Sequence, residues 1–309
     1  MDDAAVRILV VGGSGLIGAH VTEVLRERGH EVTTAARSPG AGVDHLLDVT
    51  DASVDAMRGL LTGHDGVVFA TRTDEQRPLP RPILGRFRRD MVEPVVRLFT
   101  AARQEGLTRG VLLGSYYTYF DRVRPQWRLA ERHTYVRCRV EQAREGRAAA
   151  GPDLPVAVIE LPFVLGRAGE RGPNWAAPFE RWARSGAPLL VPAGGTAVVT
   201  ARNVAGSVAE ALEHGGGADL PVADANLSWA EMMTRVASAA GRARPVRRLP
   251  AGVLRAAFGA GAAVQTLLRQ ESGLDLGHLA DLMLADLFVE PVSGRPLDAA
   301  FRESFSAPG

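Results

Sequence analysis

The chain has 309 residues, 46% of them hydrophobic, enough to bury a sizeable core in one large domain or two coupled ones. A balance of 36 basic against 35 acidic residues leaves a formal net charge of +1, so no long-range field draws the chain to nucleic acid or to an anionic membrane. One cysteine, Cys138, leaves no material for an internal disulfide or a cysteine-rich metal site; all 36 basic residues are arginine, which excludes Schiff-base and P-loop lysine chemistry.

The first element is a strand, Arg7-Ile8-Leu9-Val10-Val11, followed at once by Gly12-Gly13-Ser14-Gly15-Leu16-Ile17-Gly18 and an amphipathic helix over residues 16–28 that Gly29 stops. Each glycine has a steric task in a dinucleotide-binding turn. Gly12 or Gly13 turns the chain, Gly15 lets backbone N–H groups approach a pyrophosphate at the helix N-terminus, and Gly18 lets helix and strand pack closely. The spacing fits two registers, Gly12-x-x-Gly15-x-x-Gly18 and Gly13-x-Gly15-x-x-Gly18, and does not choose between them.

Further elements alternate. A β-branched run over 31–36 ends at Arg37, and a short strand over 43–47 ends at Asp48-Val49. A helix over 53–61 precedes a strand over 66–70 and a Pro-rich loop over 71–82. A long helix over 87–105 carries Pro94 early, where it either kinks the helix or marks its true first turn. Strands over 111–113 and 156–161 flank a helix over 135–150. Their apolar runs lack two-residue alternation, as parallel strands covered on both faces should. Past Leu161-Pro162-Phe163-Val164-Leu165-Gly166 the pattern weakens into helices and Pro/Gly-rich connections. Ser228-Trp229-Ala230-Glu231 reads as a capping box opening a helix that stops at Gly241, and further helices are expected over 251–268 and 277–287. The expected architecture is therefore an α/β, Rossmann-type doubly wound parallel sheet over 1–165, joined by about 187–213. A smaller, mainly helical substrate-binding region is expected over 166–186 and 214–309.

Several residues carry the chemistry. Arg37 stands at the end of the second strand, where a carboxylate would bind the adenosine ribose and an arginine would take a 2′-phosphate, so NADP(H) is expected over NAD(H). Asp48 can accept from an adenine amino group beside the Val49 backbone, with helix capping by the 48–51 segment as the alternative; Ala70, ending the fourth strand, joins the cofactor set. Ser115 follows the strand Val111-Leu112-Leu113-Gly114, and Tyr135 and Arg139 share one face of the next helix. The Arg86–Arg89 and Arg242–Arg248 clusters read as solvated faces, and His133 as a surface loop histidine. Cys138 points off the Tyr135/Arg139 face as an inert buried thiol.

Gly12 to Gly18, Asp48-Val49, Ser115, Tyr135-x-x-x-Arg139 and the 161–166 segment occur in an order that resembles the extended short-chain dehydrogenases/reductases, the NAD(P)-dependent epimerase/dehydratase family. The likeness spans roughly residues 6–250, taking in 194–205 and 227–229. It implies that Ser115 polarises a substrate carbonyl, that Tyr135 is the general acid/base, and that Arg139 replaces the lysine which binds the nicotinamide ribose and promotes tyrosinate. A guanidinium is larger and planar, so this replacement is not conservative. Asp90 stands where the family has a water-holding asparagine, and Asn203 where sugar-nucleotide enzymes have an aspartate. Tyr116, Tyr117, Tyr119 and Trp175 are expected to line the substrate pocket, with Trp127, Phe179 and Trp182 near it.

The expected function is an NADP(H)-dependent carbonyl reductase or dehydrogenase acting on a moderately apolar small molecule. The alternatives are a sugar-nucleotide epimerase/dehydratase and a catalytically silent NADP-binding sensor or scaffold. Met1-Asp2-Asp3 does not open a secretory signal, and the longest apolar stretch, 256–268, contains Gln265 and falls short of the roughly 20 residues of a membrane span. A cytoplasmic protein with a small-molecule substrate is expected, without nucleic acid, metal or membrane span, and with a homodimer left open.

Overall fold

The computed structural model describes residues 5–71 and 78–305. Its first half runs β1 (Arg7–Val11), α1 (Leu16–Glu27), β2 (Glu31–Ala36), β3 (His45–Leu46), α2 (Val54–Leu61), β4 (Gly66–Phe69), β5 (Leu79–Pro80), α3 (Leu84–Phe87), a π-helical turn (Arg88–Val92), α4 (Glu93–Gln104), β6 (Arg109–Leu113), α5 (Tyr116–Val123), α6 (Leu129–Arg132), α7 (Thr134–Ala150) and β7 (Val156–Glu160). The second half runs β8 (Phe163–Leu165), α8 (Ala176–Arg184), β9 (Leu189–Val191), β10 (Gly195–Thr200), α9 (Ala201–His214), β11 (Asp219–Pro221), β12 (Ala225–Ser228), α10 (Trp229–Ala239), β13 (Val246–Arg248), α11 (Ala251–Leu267), β14 (Gln270–Glu271), α12 (Leu276–Leu284), β15 (Asp286–Leu287) and α13 (Asp298–Phe305). Part of the Pro-rich 71–82 loop, residues 72–77, lies outside the described residues.

Seven strands form one sheet in the order β11-β7-β6-β4-β1-β2-β3, every pair parallel. The chain order reverses between β1 and β4, which opens a crevice at the carboxyl ends of the strands. Both sheet faces are covered. Ile8 and Val10 of β1 pack toward Val21 and Leu25 of α1 and Val204 and Val208 of α9, while Leu9 and Val11 pack toward Met57, Leu98 and Phe99 of α2 and α4. That is why these strands show no apolar–polar alternation.

The seventh strand, β11, comes from 219–221, a stretch the sequence reading assigned to the substrate region. It joins the sheet edge by pairing Asp219–Pro221 with Val158–Glu160. Beyond the sheet, β8, β12 and β15 gather around β10, and a further core centres on Trp175, Trp229, Met232, Met233 and Phe301. The capping box forms as read: the Ser228 hydroxyl accepts from the Glu231 N–H at 3.2 Å, and the Glu231 carboxylate accepts from the Ser228 N–H at 2.8 Å. No helix among the described residues is long and apolar enough to cross a membrane.

The expected single helix over 87–105 is three pieces. Pro94 has no N–H to give the Asp90 carbonyl four residues earlier, so the regular ladder cannot run through this point. The chain passes it in a wider π turn, with the Glu93 N–H donating to the Arg88 carbonyl, and α4 starts with Pro94 in its first turn. Asp90 lies within that turn.

Candidate active site

A cavity of about 700 Å³ lies over the carboxyl ends of β1, β2, β4, β6 and β7, lined there by Val11, Ala36, Ala70, Leu113 and Leu161. The glycine turn forms one end. Gly12 takes φ +95°, and its N–H donates to the Ala35 carbonyl at 2.7 Å, so the turn falls at Gly12 rather than Gly13. A Cβ on Gly18 would sit 2.1 Å from the Gly12 carbonyl oxygen, so glycine there is a packing necessity. Gly12, Ser14, Gly15, Leu16 and Ile17 line the cavity; Gly13 and Gly18 do not, and support the turn from behind.

Helix α1 is capped by Gly15 with no side-chain hydrogen bond and has no acidic residue in its first turn. Its terminal N–H groups are thereby left for an anion, as a pyrophosphate requires. Arg37 is exposed at the cavity rim and makes no ion pair among the described residues. Asp48 and Val49 line the same end. Asp48 accepts from the Thr50 N–H at 3.0 Å, and α2 is capped by Ser53, so Asp48 closes a local turn and is not the helix cap. These groups fit a dinucleotide.

The other end holds the expected reactive residues. Ser115 caps α5, its hydroxyl oxygen accepting from the Tyr117 N–H at 3.5 Å, which leaves the O–H to donate elsewhere. Tyr135 and Arg139 are both buried and both line the cavity. Arg139 Nε donates to Tyr135 Oη at 3.1 Å, and its Nη1 donates to the Leu113 carbonyl at 3.1 Å and to Gln142 Oε1 at 2.9 Å. Because a guanidinium only donates, the Tyr135 proton cannot be spent on Arg139.

The neighbouring tyrosines separate by helix face. Tyr117 lines the cavity with its ring centroid 6.4 Å from that of Tyr135. Tyr116 touches the cavity, but its hydroxyl is held 3.0 Å from Thr196 Oγ1 and burial pushes its pKa up to about 12, which makes it a poor proton donor. Tyr119 does not line the cavity, contrary to expectation. Two residues from Tyr117 on a helix, it faces away and packs against Phe120 and the Arg122 guanidinium. Trp175 does line it, its indole N–H donating to the Val164 carbonyl at 3.0 Å. Trp127, Phe179 and Trp182 pack elsewhere, stacked on Phe120, edge-on to Trp175, and bonded to the Pro188 carbonyl respectively.

Asp90 reaches the cavity wall from the π turn, with Arg86 and Arg89 3.6 and 3.7 Å away. Within the first basic cluster Arg88 is not merely solvated: it pairs with Glu141 and, at 3.0 Å, with Glu145. Asn203 lies outside the cavity lining and donates to the buried Asp224 at 2.6 Å. Cys138 is buried, and burial raises its thiol to about 11.

His133 is a correction. It is not a surface residue but 1% exposed, at the N-cap of α7, where Nδ1 accepts from the Asp275 N–H at 3.0 Å. The Tyr135 N–H, an orphan donor of the same helix end, is taken by the Gly273 carbonyl at 2.9 Å. Leu274, between these two contacts, lines the cavity. A segment near the far end of the chain thus clamps the start of the Tyr135 helix, and no local pattern around 272–275 announces it. Among the described residues no cluster of three or more His, Cys, Asp or Glu could hold a metal ion.

Residues 12–150 match the family model described as NAD(P)H-binding, and with the doubly wound sheet and the glycine turn this defines a dinucleotide-binding protein. Beyond that domain the chain is similar to epimerase-family proteins, in line with its resemblance to the extended short-chain dehydrogenases/reductases. It is 27% identical to the human epimerase family protein SDR39U1 over 288 residues, covering 86% of this chain and 90% of that one. The solved structure of human SDR39U1 (isoform 2) with NADPH matches with a TM-score of 0.63 at 21% identity, covering 97% of this chain and 99% of that one. A nucleoside-diphosphate-sugar epimerase from Pseudomonas aeruginosa matches with a TM-score of 0.70 at 20% identity, covering 97% and 96% of the two chains.

Proposed function

We propose that the protein is an NADP(H)-dependent oxidoreductase that interconverts a carbonyl compound and its alcohol, acting on a moderately apolar small molecule, with Tyr135 as general acid/base. The observation that carries this reading is the Arg139 Nε–Tyr135 Oη contact at 3.1 Å, in the wall of a cavity that also contains the glycine turn. When bound, a reduced nicotinamide supplies hydride to a carbonyl carbon. Tyr135 gives its proton to the carbonyl oxygen, so that the alcohol forms, and the phenolate oxygen left behind stays against the Arg139 guanidinium. Ser115, whose O–H has no acceptor among the described residues, donates to the same carbonyl oxygen. The Nε and Nη1 atoms of Arg139 are engaged within the protein, leaving Nη2 to donate to ribose hydroxyls.

Arg37 selects NADP(H), its guanidinium meeting the 2′-phosphate, in agreement with the NADPH held by the human relative's structure. Phe163, Tyr117, Trp175 and Leu274 give the substrate end its apolar character. Turnover tests the reading. A panel of ketones and aldehydes should include compounds that consume NADPH stoichiometrically, and Tyr135→Phe should lower kcat by about 10²–10⁴-fold with NADPH affinity kept. Turnover of a nucleotide sugar without net NADPH consumption would replace this reading by an epimerase, and NADPH binding without turnover by a sensor.

A further inference from the structure

Gln142 is a buried amide, 2% exposed, one turn beyond Arg139 on α7. Its two ends are used differently. Oε1 accepts from Arg139 Nη1 at 2.9 Å, while Nε2 donates to the Met91 carbonyl at 2.8 Å, in the π turn that carries Asp90. The two contacts require opposite ends of the amide, so they fix its orientation. A chain of hydrogen bonds therefore runs from Tyr135 Oη through Arg139 and Gln142 to the backbone of the π turn at Met91.

A flexible guanidinium can meet a phenol through Nε or either Nη. Here Nη1 is shared between two acceptors, Leu113 C=O and Gln142 Oε1, which locks the plane with Nε on Tyr135 and one nitrogen to spare. Lysine, with a single terminal nitrogen, could not bond Tyr135 through one nitrogen while another meets Gln142 and Leu113. We infer that Gln142 is the positioning residue that adapts this site to arginine, holding the Arg139 fork for Tyr135 and cofactor while tying it to the Asp90 turn. The inference rests on the proposed roles of Tyr135 and Arg139 at an NADP(H) site.

NADPH titration, followed by the fluorescence of the bound cofactor, tests this on wild type, Arg139→Lys, Gln142→Met and the double variant. Methionine fills nearly the same volume without either hydrogen bond. If Gln142 acts through the fork, Arg139→Lys should weaken NADPH in the wild-type background by about tenfold more than in the Gln142→Met background, since the acceptor that lysine orphans is already gone there. Gln142→Glu keeps an acceptor for Nη1 but sets a carboxylate oxygen against the Met91 carbonyl, so the lysine-specific loss should persist in the Gln142→Glu background whatever that variant's own affinity. Multiplicative losses in the Arg139→Lys/Gln142→Met double variant would reduce Gln142 to ordinary packing. Failure of wild type itself to bind NADPH would instead overturn the nucleotide reading on which the inference stands.

Discussion

Acid should destabilise this protein through one buried imidazole, and the size of the effect follows from the structure. His133 Nδ1 accepts from the Asp275 N–H, so its proton is on Nε2, which is buried without a partner among the described residues. Burial holds its pKa down at about 4, against an ordinary 6.5, with Arg132 and His278 adding to the lowering and Asp275 opposing it. In the unfolded chain the imidazole charges near 6.5, so between about 6.5 and 4 the unfolded state binds the extra proton and the folded state does not. The contribution is complete above pH 6.5 and is lost as the pH falls toward 4, by about 3 kcal/mol at about 1.4 kcal/mol per pH unit. A second proton on Nδ1 would also set donor against donor at Asp275, releasing the segment that carries Leu274 over the site. His64, also lowered by burial, titrates in the same direction, so the test is a difference. Asparagine keeps an acceptor for the Asp275 N–H without a titrating group. Urea unfolding of wild type and His133→Asn at several pH values from 8 to about 4, extrapolated linearly, should show the wild-type curve falling by about 3 kcal/mol more than the variant's. Parallel curves would refute the argument.

Two further expectations concern the nucleotide end. Arg37→Asp should weaken NADPH by roughly 10- to 150-fold, corresponding to about 1.5–3 kcal/mol for a charge-assisted contact, and should weaken NADH little; equal wild-type affinities for the two cofactors would remove Arg37 from the site. Gly18→Ala forces a Cβ onto the Gly12 carbonyl and should cost about 1–3 kcal/mol along with cofactor binding. Gly59→Ala, in α2 with nothing within 4 Å of the new Cβ, should be neutral or stabilise by about 0.5–1 kcal/mol; thermal unfolding of the pair checks both.

What could be read in the sequence was what is local. The glycine turn, Arg37 at the end of β2 and Tyr135 one turn from Arg139 each lie within a few residues of one another, and strand or helix periodicity alone puts them in place. What was missed depends on distant chain. Pairing of β11 with β7 is invisible in a three-residue strand. Tyr119 was grouped with Tyr117 by proximity, although a two-residue step on a helix sends it to the opposite face. Gln142 looks like any polar helix residue until the π turn supplies the Met91 carbonyl, and that turn is itself the consequence of Pro94. His133 looked solvated because its partner, Asp275, is 142 residues away.

That separation has a consequence for how the molecule comes into being. A chain made from its N-terminus exposes the glycine turn, β1 and α1 first, and most of the seven-stranded sheet by residue 160, so the half that holds the dinucleotide end can assemble early. The end of α7 that bears Tyr135 has no side-chain cap of its own, and its backbone donor waits for Gly273. Nascent protein should therefore pass through a stage in which a nucleotide cradle exists before Tyr135 beside it is held in place, so that this end of the cavity is completed only when nearly the whole chain has been made.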